Sequence, residues 1–141
     1  MNKLERGADY RYRYFKANKG LFGFLYFCPY CGKFLWNKKK IEIDHIHAIK
    51  KVQYNRRLRK RYYRSDHGVN DLSNLTASCS RCNRQKGRKG GIWVFYGHFG
   101  KYFMPIIRKI MQLGVIFLFW FFVLPLIPEA WEFISTILGR Q

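Results

Sequence analysis

Apolar positions between residues 21 and 45 come in short clusters: "LFGFLYF", then "KFLW", then "IEIDHI", separated by "CPYC" and "NKKK". Clusters of that length with alternating character predict short strands. "NKKK" is predicted as the turn of a hairpin whose second strand ends on Asp44 and His45. Residues 48–64, "AIKKVQYNRRLRKRYYR", are compatible with helix and strongly basic, and predict an insertion on the domain surface. The segment "SDHGVNDLSNL" predicts a loop, and the insertion is bounded at 48–70. From Ser78 or Ser80 a short helix is predicted through "RCNRQK" to Gly87, with Gly90 and Gly91 as a hinge. Residues 1–20, basic and tyrosine-rich, predict an arm or a short helix.

The pattern changes in the last third. Ile110 to Pro128 is a run of 19 residues without a formal charge. As a helix it spans about 28 Å, close to the hydrocarbon thickness of a bilayer. Arg108 and Lys109 precede it, and aromatic residues crowd 92–109, the arrangement of an interfacial belt with snorkelling cations. A transmembrane helix over 110–128 is therefore predicted, with an oligomerisation or packing helix as the alternative. Pro125 predicts a kink near its end. In the tail, 129–141, Trp131, Ile134, Ile137 and Leu138 share one helical face with Glu129 and Glu132 largely outside it, which predicts a short amphipathic helix.

Charge divides the chain at the same place. Residues 1–91 carry 23 Lys and Arg against 6 Asp and Glu, whereas 92–141 carry 4 against 2. A front this basic suits nucleic acid or an anionic membrane surface, and it is expected to stay on the cytoplasmic side of a membrane. The N-terminus is too charged for a secretory signal, so a reducing compartment is the expectation.

The four cysteines are Cys28, Cys31, Cys79 and Cys82: two C-x2-C pairs, 47 residues apart. Each pair directs two sulfurs at one point, and four thiolates complete a closed tetrahedral zinc site. Such a site is structural, because it leaves no open coordination position. It joins the turn before Asp44 to the helix that starts near Ser80. With the two segments joined, a carboxylate oxygen of Asp44 and an amide oxygen of Asn83 are expected to face each other and to suit a Mg2+- or Mn2+-class ion. His45, on the opposite face of the strand, is placed to take a proton from an attacking water.

The order CPYC, IDHI, SNL, CSRCNRQKG resembles the HNH endonucleases, the ββα-metal nucleases, in their zinc-stapled form. The resemblance covers about residues 24–90. It implies an α+β fold, a zinc-stapled nuclease domain over 21–91, followed by the C-terminal hydrophobic helix. It implies Asp44 as a metal ligand, His45 as general base, Asn74 as the residue that orients the base, Asn83 as the second metal position and Lys86 as a phosphate contact. Relatives often carry a proline and a Ser-x-Gly-Gly turn after the DHI motif, where this chain has His47, Ala48 and the basic insertion. His47 and His67 are secondary candidates, with a surface role as the ordinary alternative.

The expected activity is metal-dependent hydrolysis of phosphodiester bonds in nucleic acid, DNA by resemblance, by an enzyme anchored to a membrane with its nuclease domain cytoplasmic. Helix 80–89, with Arg84 and Arg88, and the insertion are expected to contact phosphates. The rival readings are a zinc-stapled nucleic-acid-binding module without catalysis and a basic adaptor lying on anionic lipid.

Overall fold

The computed structural model describes residues 3–123 and 125–138. Contacts divide the chain into Met1–Met104 and Pro105–Gln141. The first unit is α+β. It contains α1 (Tyr10–Ala17), β1 (Tyr26–Phe27), β2 (Phe34–Leu35), β3 (Glu42–His45), α2 (Ile49–Tyr54), α3 (Arg56–Tyr63), β4 (Leu75–Ser78), α4 (Ser80–Lys86) and the start of α5 (Ile92–Leu118).

The strands form two antiparallel pairs, β1 with β2 and β3 with β4. This overturns the hairpin expected across "NKKK". Lys38–Lys40 form a 3-10 turn in which the Asn37 side chain accepts from the Lys39 amide, and the chain leaves it for a different partner. The partner of β3 is β4, in the register Ile43 opposite Ala77 and His45 opposite Leu75. That register is the one that buries apolar side chains: Ile41, Ile43, Leu75 and Ala77 join Tyr14, Tyr26, Leu35, Cys28 and Cys82 in one core. α1 belongs to this core, since Tyr14 is buried and its hydroxyl accepts from the Ala77 amide at 3.0 Å. The N-terminal segment is thus a packed helix as well as a basic arm.

The basic insertion is two short helices over a second apolar cluster of Val52, Tyr62 and Val69. The lysines and arginines of α3 sit mostly outside, so the helix presents a charged face while Tyr62 points in and Tyr63 out. α4 runs as its sequence predicts. Its end follows from Gly87, which takes φ +48 and donates its N–H to Asn83 O at 3.0 Å, a conformation costly for any side chain.

α5 begins at Ile92, and its first turns belong to the first unit rather than to a separate segment before the apolar run. Gly97 and Gly100 are buried. A Cβ on Gly97 would lie 3.0 Å from Ile46 Cγ2, and one on Gly100 would overlap Pro29. Lys101 Nζ also donates to the Leu72 carbonyl. These glycines let the helix backbone approach the strand that ends on His45 and the turn that carries Cys28.

The second unit, taken by itself, is the remainder of α5, a π-helical turn at Phe119–Val123 and α6 (Leu126–Leu138). Ile92–Val123 is one helix long and apolar enough to cross a membrane by length and composition, with a mean hydropathy of 1.9 in its most apolar window and none of that window buried. Pro125 lies in a turn, as its missing N–H favours, so the apolar run 110–128 is divided between two helices instead of forming one. The side chains of Glu129, Ile134, Ile137 and Leu138, which the expected amphipathic face involves, lie outside the described residues.

Replacing a helical glycine with alanine ordinarily stabilises by about 1 kcal/mol. At Gly100 the overlap with Pro29 outweighs that gain, because overpacking costs about 1–3 kcal/mol. Gly100→Ala should lower the thermal midpoint of the chain, whereas Gly114→Ala, where a Cβ meets nothing within 4 Å, should not.

Candidate active site

Alternation along β3 sorts its side chains onto two faces. Glu42 and Asp44 face α4; Ile43 and His45 face the side where α1 packs. A cluster of four cysteines joins α4 to the turn at Cys28. All four sulfurs, from Cys28, Cys31, Cys79 and Cys82, lie within 4.8 Å of one another, and Cys31 Sγ is 3.9 Å from Cys79 Sγ. Sulfurs about 2.3 Å from a tetrahedral zinc stand about 3.8 Å apart, so the cluster fits the ion. Two local features shape it. Gly32 at φ +72 closes the turn after Cys31, and Cys79 is the N-cap of α4, its sulfur accepting from the Cys82 amide. Burial pushes the Cys28 thiol up to about 11, so an entering cation must displace its proton.

Asp44 is 6 % exposed and carries a dense set of partners. Lys86 Nζ lies 3.0 Å from its Oδ2 and 3.1 Å from its Oδ1, and donates also to the His45 carbonyl at 2.7 Å. The Tyr30 hydroxyl donates to Oδ2 at 2.6 Å. Burial and the neighbouring carboxylate push the Tyr30 hydroxyl well above its ordinary range, so it remains a donor. Lys86, expected from the resemblance to reach phosphate, is therefore wholly buried as the counter-ion of Asp44. The reason is helical geometry: four residues after Cys82, it shares the inward face of α4.

Asn83 is not brought against Asp44. Its Nδ2 donates to the Glu42 carboxylate one pair further along the strand, and this contact leads the influences that hold the Glu42 carboxyl below its usual range. Arg84 and Arg88 are exposed, as a phosphate contact requires.

Asn74 is fully buried and uses its whole amide. Its Nδ2 donates to His47 O at 3.1 Å and Val69 O at 2.9 Å; its Oδ1 accepts from His47 N at 2.8 Å and the Tyr62 hydroxyl at 3.1 Å. Its own carbonyl accepts from Ile46 N at 2.7 Å. These bonds fix the backbone immediately after His45, and an aspartate or leucine cannot supply both the donors and the acceptor.

His45 is 3 % exposed. Its Nε2 lies 3.0 Å from Asn70 Oδ1, and the Tyr10 ring centroid is 5.4 Å from its own. Asn70 donates its Nδ2 to the Glu5 carbonyl at 2.9 Å, which leaves its oxygen facing the imidazole. Nε2 is then the protonated nitrogen and Nδ1 carries the lone pair. Burial is the main cause that holds the imidazole below its usual pKa, against the opposing bond from Asn70, so the ring is neutral near pH 7. Asn70, Tyr30 and Tyr10 were not signalled by the sequence: "GVND" reads as a turn, and Tyr30 as a spacer between two ligands. Of the secondary candidates, His47 packs against Tyr62 and His98, and burial followed by the second imidazole pushes it down to about 4; His67 is exposed.

An antiparallel strand pair, a following helix and a four-cysteine cluster that fits zinc form the ββα arrangement that the sequence resemblance implies. The HNH endonuclease family matches residues 62–89, which hold Asn74, Cys79, Cys82, Asn83 and Lys86. The match spans 28 of the 141 residues, and the Asp44–His45 strand lies outside it. No curated protein and no solved structure matches the chain.

Two outcomes are expected. Protein purified under reducing conditions should contain about one zinc per chain by metal analysis, and Cys28→Ser should lose metal and fold together. Lys86→Met should destabilise the domain by about 3–5 kcal/mol in chemical denaturation, because it leaves Asp44 buried without a counter-ion. Adding Asp44→Leu should recover part of that loss.

Proposed function

We propose that this protein is an endonuclease that hydrolyses phosphodiester bonds in nucleic acid, DNA by the resemblance, with His45 as general base. The observation that supports this most is the His45 imidazole: neutral, with Nε2 given to Asn70 and Nδ1 left with its lone pair. A base in that state takes a proton from water as the water oxygen bonds to phosphorus. The P–O bond to one sugar oxygen breaks, that oxygen leaves with the electron pair and takes a proton from solvent, and the proton removed from the attacking water rests on Nδ1. Asn70 and Asn74 are positioning residues, one through the ring and one through the backbone that follows it. At 3 % exposure the ring is closed to a phosphodiester in this conformation. The arm that carries Glu5 and Tyr10, held through Leu4 N to Gln53 Oε1 at 2.7 Å, is the covering element that must yield to substrate.

HNH nucleases use a divalent ion, which supplies charge stabilisation at the phosphate when bound. Asp44 and Asn83 have the right donor chemistry for Mg2+ or Mn2+. As arranged they do not fit it: the Asp44 oxygens are committed to Lys86 and Tyr30, and the Asn83 amide is held through its Nδ2 at Glu42 rather than at Asp44. Binding of the ion at Asp44 and Asn83 requires Lys86 to release the carboxylate. The same pairing favours a second reading, a zinc-stapled nucleic-acid-binding domain without catalysis.

Plasmid nicking with added Mg2+ or Mn2+ separates the two. Wild type should cut, and His45→Ala should lose cleavage at least 100-fold while keeping its zinc and its fold. Equal cleavage by wild type and His45→Ala, contaminating nuclease excluded, sinks the enzymatic reading. Since the folded imidazole titrates below its ordinary value, the acid limb of the pH–rate profile should fall below pH ~6.5. Activity is lost there as falling pH protonates Nδ1.

We further propose that the apolar helix anchors the domain to a membrane, with the basic unit on the cytoplasmic side. The support is the apolar surface it exposes, from Ile106 through Phe122, far larger than a soluble monomer ordinarily carries. A carbonate or high-salt wash should leave the protein in the membrane fraction. Release by salt, with a single oligomeric species free of detergent, would assign the helix to self-association.

A further inference from the structure

A concavity of about 750 Å³ opens on the cysteine cluster, with Cys31, Cys79 and Cys82 in its lining and His45 outside it. Its walls come from β2 and the turn that follows, from the first turns of α4, and from Trp93 at the start of α5. Two properties set it apart from an ordinary surface cleft. Over a floor of buried Leu35 and Ile41 it holds two aromatic side chains open to solvent: Trp36 is 71 % exposed and Phe34 53 %. Its charged side chains are all cationic, Lys33, Lys40 and Arg81, with no carboxylate among the lining residues.

Trp36 has no structural reason to be aromatic, being mostly in water, whereas Phe34 is braced by Phe27 at a ring separation of 4.9 Å. A flat ring offered to solvent between cations is the chemistry that binds an unpaired nucleotide strand: bases stack on the ring while phosphates meet the charges. A duplex has no free base faces to offer such a surface. The concavity also communicates with the site already described. Tyr30 lines it, and the same Tyr30 hydroxyl donates to Asp44 Oδ2.

We infer that this groove binds single-stranded nucleic acid, stacking a base on Trp36 and taking the flanking phosphates on Lys33, Lys40 and Arg81. The inference rests on the nuclease reading for its purpose, since it makes the preferred substrate one with an unpaired strand beside the scissile bond. It does not rest on that reading for its binding chemistry.

The test uses the full-length chain in detergent, without added Mg2+ or Mn2+. Fluorescence anisotropy is read with a labelled 15-nucleotide oligothymidylate and with a duplex of equal length. Wild type should bind the single strand, and Trp36→Ala should weaken that binding by about 10-fold or more while leaving duplex affinity unchanged. Lys33→Ala and Lys40→Ala should each lower the salt dependence of single-strand binding by about one counter-ion. Trp36 is exposed, so the variant keeps its fold, and its zinc content checks this. Equal loss for both probes, or no loss for either, overturns the groove. Binding to phosphatidylserine mixed into the detergent micelles that depends on Trp36, while oligonucleotide binding does not, assigns the surface to lipid and also overturns it. Loss of nicking activity bears on the nuclease reading alone, because single-strand binding is measured without cleavage.

Discussion

The cysteine staple is the constraint from which the rest of the first unit follows. β3 and β4 are each four residues long and α4 is seven, too little to hold a defined relation by packing alone. With four sulfurs gathered within 4.8 Å, the turn at Cys28 and the N-cap of α4 become one rigid corner. From that corner the inward face of α4 can meet β3 in one register, placing Asn83 at Glu42 and Lys86 at Asp44. A small domain that spends most of its surface on charge cannot obtain this from apolar burial, and a cation held by these four thiolates would supply the missing free energy.

The Asp44–Lys86 pair is the second consequence of that corner, and it runs against an easy reading of the motif. In the expected arrangement the carboxylate waits for a divalent ion, with the lysine turned to phosphate. In the structure the lysine is the cation. A buried carboxylate cannot remain uncompensated, and the nearest positive charge on the facing helix satisfies it. The pair therefore couples three quantities: the stability of the domain, the availability of Asp44 and the orientation of the His45 carbonyl, to which the same ammonium donates.

His45 shows the opposite balance, a functional group kept uncharged by what surrounds it. Tyr10 and Asn70 close on its ring from the N-terminal arm and from the loop, and burial keeps the imidazole neutral. The arm is thereby part of the site as well as part of the core, through Tyr14. Access to this imidazole and the seating of the arm are one question.

Much of the candidate site was legible in the sequence, because its parts are local. Two C-x2-C pairs state their own geometry, Gly87 marks the end of a helix, and an aspartate–histidine pair at the end of an alternating run must put its side chains on opposite faces. The long uncharged run likewise declared apolar helix, which the structure begins at Ile92 and divides at Pro125. What the tertiary structure decided were the pairings between segments far apart in the chain. β3 turned to β4, more than thirty residues downstream, instead of to the nearby β2, because only that register buries Ile43 and Ala77 together. Asn70 became the partner of His45, and Tyr30 of Asp44, through a fold that no spacing encodes. Lys86 went inward because burial of a carboxylate has to be neutralised by whichever cation the packing brings close, and packing is a property of the assembled chain.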